Sequence, residues 1–118
     1  MKSDLKILDD LRIDISSGLD GTKRLFNEKS PVAILCYEFA SRWDRITHFM
    51  SGFDVMKCNQ YAYFKISSYY NECRGDFVLA LKHERHANHL MLKVSVGLYQ
   101  LVNDFLDSLE EVGINGRI

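Results

Sequence analysis

The chain is short of the residues that interrupt or staple a fold. Its 118 residues include one proline, seven glycines and three cysteines. So little proline and glycine leaves no room for a long flexible or proline-rich linker, and no composition break, repeat or low-complexity tract marks a boundary. Cys36, Cys58 and Cys73 are an odd number without C-x-x-C spacing. That argues against a disulfide framework and for a reducing compartment. No apolar run approaches the roughly 18 residues that a membrane span needs. Asp4, Asp9, Asp10, Arg12 and Asp14 break up what would have to be the apolar stretch of a signal peptide. A cytoplasmic protein with no membrane association is expected.

Catalytic signatures are missing as well. There is no G-x-S-x-G, no G-x-x-x-x-G-K-[ST] and no G-x-G-x-x-G. Neither catalysis nor a cofactor is therefore expected. Net charge is −1, so the total does not call for nucleic acid or an anionic surface. Its distribution is uneven. Lys65, Arg74, Lys82, Arg85 and Lys93 make the middle mildly basic, whereas Asp104, Asp107, Glu110 and Glu111 make the C-terminal part acidic.

What is present suits a folded domain over 1–118, with 47% apolar residues to supply a core. Ser3 and Asp4 are capping residues, and Leu5, Leu8, Leu11 and Ile15 recur at helical spacing, with Gly18 as the stop. Leu19-Asp20-Gly21-Thr22 is turn chemistry, and Thr22 caps a short turn through Phe26. Ser30-Pro31 is a stronger start signal, because proline at the first helical position gives up only an amide that would go unpaired. Val32, Leu35, Cys36, Phe39, Trp43, Ile46 and Met50 then carry a helical stripe, closed by Gly52, and predict a helix over 31–51. Tyr61 to Ser67 is dense in aromatic and β-branched residues and alternates in character, which predicts a strand. Asn71 to Gly75 follows as a loop, so that Arg74-Gly75-Asp76 reads as a turn.

Asp76 to Val112 supports two incompatible readings. At period seven, Ala87, Met91, Val94, Leu98, Leu101, Phe105 and Val112 form the seam of one long helix. At period two, Phe77, Leu79, Leu81 and then Leu90, Leu92, Val94, Val96 form a hairpin, with a helix only from Leu98 and a C-cap at Gly113. Val94, Val96 and Gly97 suit a helix interior poorly, and an unbroken helix would be about three times the ~12-residue mean. The hairpin is preferred. The expected fold is α+β: two N-terminal helices, a three-stranded antiparallel meander and a C-terminal helix. The alternative is an all-α bundle with one long C-terminal helix.

In that picture Phe64, Ile66, Phe77, Leu79, Leu81, Leu90, Leu92 and Val94 pack beneath the helices, and the open sheet face presents Tyr61, Tyr63, Lys65, Val78, Ala80, Lys82, Met91 and Lys93. Tyr69 and Tyr70 extend it. Tyrosine and methionine are enriched at protein interfaces, and here they are interleaved with lysine. The expected function is non-catalytic binding of another protein with an acidic surface, as small inhibitors, immunity proteins, antitoxins and secretion chaperones do. Single-stranded nucleic acid on the same face is the competing reading, tyrosines stacking on bases and lysines meeting phosphates. A homodimer is a further option, through a heptad helix or an edge strand.

His83, His86 and His89, spaced three apart, are candidate metal ligands if they meet at a hairpin tip. On a helix successive members turn away from one another and could not all converge. The text H-E-R-H also misses the metalloprotease spacing H-E-x-x-H, so no metal site is assigned. Cys36 belongs to a helix core, while Cys58 and Cys73 fall near expected loops. Asp9-Asp10 and Glu110-Glu111 read as solvated helix faces.

Overall fold

The computed structural model describes residues 3–17 and 30–114. Among them are five α-helices and no strand, so the fold is all-helical and the α+β expectation with its three-stranded meander is overturned. Helix α1 spans Asp4–Ser16, with the Ser3 side chain accepting from the Lys6 amide at 3.2 Å. It buries Ile7, Leu8, Leu11 and Ile15 along one side. The expected stop at Gly18 and the turns through Phe26 lie outside the described residues. Helix α2 spans Pro31–Thr47, and Ser30 caps it by accepting from the Ala33 amide at 3.1 Å. It ends short of residue 51 because Ser51 caps the next helix instead.

Helix α3, Gly52–Cys73, runs straight through the segment expected to be a strand. Its start is a reciprocal cap in which Ser51 Oγ accepts from the Asp54 amide at 3.2 Å and donates to the Asp54 carboxylate at 2.9 Å. Tyr61 to Ser67 is β-prone, but the buried apolar residues Cys58, Tyr61, Ala62, Ile66, Tyr69 and Cys73 advance by threes and fours apart from the adjacent pair Tyr61 and Ala62. That stripe lines one side of a helix, and burial along it outweighs a β-propensity scale of only about 1 kcal/mol. The expected loop from Asn71 is helical as far as Cys73. The chain then reverses at Arg74 and Gly75, the glycine taking φ 84°.

Neither reading of Asp76 to Val112 describes what forms. Helix α4, Phe77–Leu90, is capped by Asp76, whose side chain accepts from the Leu79 amide at 3.1 Å. A short 3₁₀ turn, Met91–Lys93, leads to Val94, extended at φ −103° and ψ 137°. Helix α5, Val96–Val112, starts from the Ser95 cap and ends at Gly113, φ 80°. The residues unsuited to a helix interior, Val94, Val96 and Gly97, sit at a helix break. The heptad seam is cut there, and Met91 and Val112 are exposed.

Four helices enclose the core. α1 packs on α2 and α3, α5 closes the ring against α2 and α3, and α4 lies outside, with α3 as its main helical neighbour. The centre is aromatic, with Phe39 stacked on Phe105 at 4.4 Å between ring centroids and Trp43 wholly buried. All three cysteines are buried, and none is in a disulfide. Burial pushes the Cys36 thiol far above its ordinary range, with Asp4 adding to the effect. No helix of the described residues is long and apolar enough to cross a membrane.

Candidate protein-interaction surface

The tyrosine and lysine residues expected to share one sheet face are dispersed by the helix. Alternate residues are about 200° apart on a helix, so Tyr61 and Tyr63 point to nearly opposite sides. Tyr61 is 2% exposed and lies against α5, where its hydroxyl accepts from Asn103 Nδ2 at 3.3 Å. Tyr69 is buried as well, and that burial raises its phenol, with Cys73 and Glu110 pushing the same way. Tyr63 and Tyr70 are half-buried and hold Arg12 of α1. Its guanidinium donates to the Tyr63 hydroxyl at 3.2 Å and lies 4.7 Å from the Tyr70 ring centre. Lys65 is tied to Glu84 at 2.9 Å. Lys82 is exposed on α4, while Met91 and Lys93 are exposed in the 3₁₀ turn. The sheet that was to gather them, for an acidic partner or for stacked bases, is absent among the described residues.

The histidines sit inside α4, where a hairpin tip was expected, and they diverge as helix geometry requires. His83 turns inward, its ring 6.1 Å from Tyr63 and 5.8 Å from Phe64. Its Nδ1 is buried without a hydrogen-bond partner. Burial lowers its pKa, and the charge of Arg12 and the neighbouring His86 and Lys82 add to that. His86 stacks on Phe64 at 4.9 Å, while His89 is exposed. Among the described residues no cluster of three histidine, cysteine, aspartate or glutamate side chains could hold a metal ion.

A different surface emerges on α4. The helix buries only Ala80 and Ala87, seven residues apart, and these small side chains let it lie close on α3. Ser68 Oγ reinforces the contact by donating to the Ala80 carbonyl at 2.8 Å. Among the described residues no helix lies over the opposite side. Phe77 is 66% exposed, Val78 85% and Leu81 53%, on the same outward half of the helix as Lys82 and Arg85. Phe77 and Leu81 were expected in the core of a sheet; they face out because the helix turns its alanines inward. The legible signal was the Ala80–Ala87 spacing, which a period-two reading passes over.

Charge on this face is of one sign. Lys82 and Arg85 are exposed and form no ion pair with a described residue, whereas Glu84 points inward to Lys65. Phe49, Phe53, Leu92 and Val96 are exposed too, but one each in the α2–α3 turn, the start of α3, the 3₁₀ turn and the start of α5. α4 differs in setting three apolar side chains within five residues on one face. No family model, no curated protein and no solved structure matches the chain, so these side chains carry the functional reading by themselves.

Proposed function

We propose that this chain is a non-catalytic protein-binding module whose outer α4 face seats an acidic, partly apolar segment of another protein. The observation that supports the reading is the uncovered row Phe77, Val78 and Leu81 on a helix attached to the bundle by two alanines. Each of those side chains contributes about 1.5–3 kcal/mol when fully buried, which is the scale of an interface hot spot. Lys82 and Arg85 beside them favour an acidic partner through faster encounter and through discrimination against basic surfaces. Inhibitors, immunity proteins, antitoxins and secretion chaperones work by such contacts and need no catalytic group.

The test is affinity capture from native extract with the wild type beside a Val78→Asp, Leu81→Asp double variant. The expected result is a protein retained by the wild type, released by raised salt and lost with the double variant, whose melting temperature stays unchanged. A Lys82→Glu, Arg85→Glu variant should weaken the same capture. Identical captured proteins in all three samples would remove α4 as the interface.

A further inference from the structure

We propose that a second site, the cleft between the end of α1, the first half of α3 and the last turns of α4, binds a small, flat, uncharged aromatic molecule that carries a hydrogen-bond acceptor. The cleft encloses about 740 Å³, within the range of small-molecule sites. Its walls are apolar where Val55, Met56, Phe64 and Leu90 meet. It lies toward the C-terminal end of α4, away from Phe77, Val78 and Leu81, and does not depend on the protein-binding reading.

Three features of the lining define the ligand. The first is charge. No lysine, arginine, aspartate or glutamate is among the described residues lining the cleft, so an ion entering it would shed water with no fixed opposite charge among those residues to meet. The second is surface. Phe64 and His86 stack on one another, 22° apart, and with the thioether of Met56 the pair lines the cleft with polarisable groups that an aromatic ring satisfies best. The third is a donor whose direction is fixed. Asn59 lines the cleft, and its Oδ1 accepts from Trp43 Nε1 at 2.7 Å. That bond fixes which way the amide points. Its Nδ2 has no partner among the described residues and remains to donate to a carbonyl or ring oxygen.

The same bond supplies a reporter, because Trp43 is the only tryptophan and its indole N–H gives one isolated resonance. The whole chain is titrated with coumarin, which is flat, neutral and bears a carbonyl. Two charged rings of similar size, 2-naphthoate and N-methylquinolinium, are titrated beside it. Coumarin should shift the indole resonance saturably at one equivalent, with Kd of about 1 mM or tighter for a ligand so small. Both charged rings should bind about tenfold or more weakly. Asn59→Asp keeps the acceptor for Trp43 and removes the donor, so it should lower coumarin affinity about tenfold while the indole resonance persists. His86→Ala, on the helix surface, should also weaken binding and stands in if Asn59→Asp does not fold. The proposal fails if coumarin gives no saturable shift, if the charged rings bind as well, or if a folded variant binds coumarin like the wild type.

Discussion

Lys65 on α3 reaches Glu84 on α4, Nζ to Oε1 at 2.9 Å, and this is the ion pair that ties the outer helix to the bundle. The lysine side chain is 17% exposed and the glutamate 36%, so water screens the pair only in part. A double-mutant cycle with Lys65→Met and Glu84→Gln should give a coupling of about 0.5–1 kcal/mol in denaturant unfolding. Because α4 rests mainly on α3, the loss should show chiefly as faster amide exchange in residues 77–90, with the core slow throughout. Uniform loss of protection would mean that α4 is integral to the core.

Two glycines should respond in opposite directions. Gly97 sits in the first turn of α5, and a methyl group there would meet nothing within 4 Å. Gly97→Ala should therefore raise stability by about 0.5 kcal/mol through helix propensity. Gly113 caps the same helix at φ 80°, which an L side chain adopts at a penalty, so Gly113→Ala should lower stability by about 1 kcal/mol. Thermal unfolding of the two variants tests the placement of α5. If Gly97 lay in a strand, its substitution would give no such helix gain.

Where the sequence could be read and where it misled follow from the same physics. Ser30-Pro31 and the spacing of Leu8, Leu11 and Ile15 were legible because caps and a one-sided stripe are local signals. Tyr61 to Ser67 points to the wrong element because seven residues taken alone alternate well enough for a strand. The helical stripe shows only when Cys58 on one side and Tyr69 and Cys73 on the other are included. Val94, Val96 and Gly97 did carry information, but what they mark is a boundary between helices. The surface suffered from the same error of period. Lys82 and Val78 face outward on a strand or a helix alike, while Phe77 and Tyr61 exchange places between inside and outside.

His83 should make the protein sensitive to mild acid. Arg12, Lys82 and His86 stand near its ring, Tyr63 and Phe64 flank it, and burial first of all keeps its folded pKa below the ordinary 6.5. At higher pH the imidazole is neutral in both folded and unfolded chains and makes no difference. As pH falls through 6.5 towards the lower folded value, the unfolded chain binds the proton first, so stability declines. His83→Phe should flatten that part of the stability profile while leaving the alkaline side alone. An unchanged slope between pH 7 and about 5 would place the acid sensitivity elsewhere.

Arg12 gives the severest test of how α1 is held to α3. One guanidinium donates to Asp9 at 2.7 Å, to the Tyr63 hydroxyl at 3.2 Å and to Ser67 Oγ at 3.4 Å, and lies over the Tyr70 ring. A lysine keeps the charge but is a compact ammonium with no planar fork. It cannot stack on Tyr70 and span Asp9, Tyr63 and Ser67 together. Arg12→Lys should therefore destabilise the fold by about 1–2 kcal/mol, close to the effect of Arg12→Met, since the lost geometry outweighs the retained charge. Tyr70→Leu should remove part of that difference, because the stacked face of the guanidinium would have no ring to rest on. If Arg12→Lys unfolds like the wild type, positive charge alone holds α1 in place and the planar contacts contribute nothing.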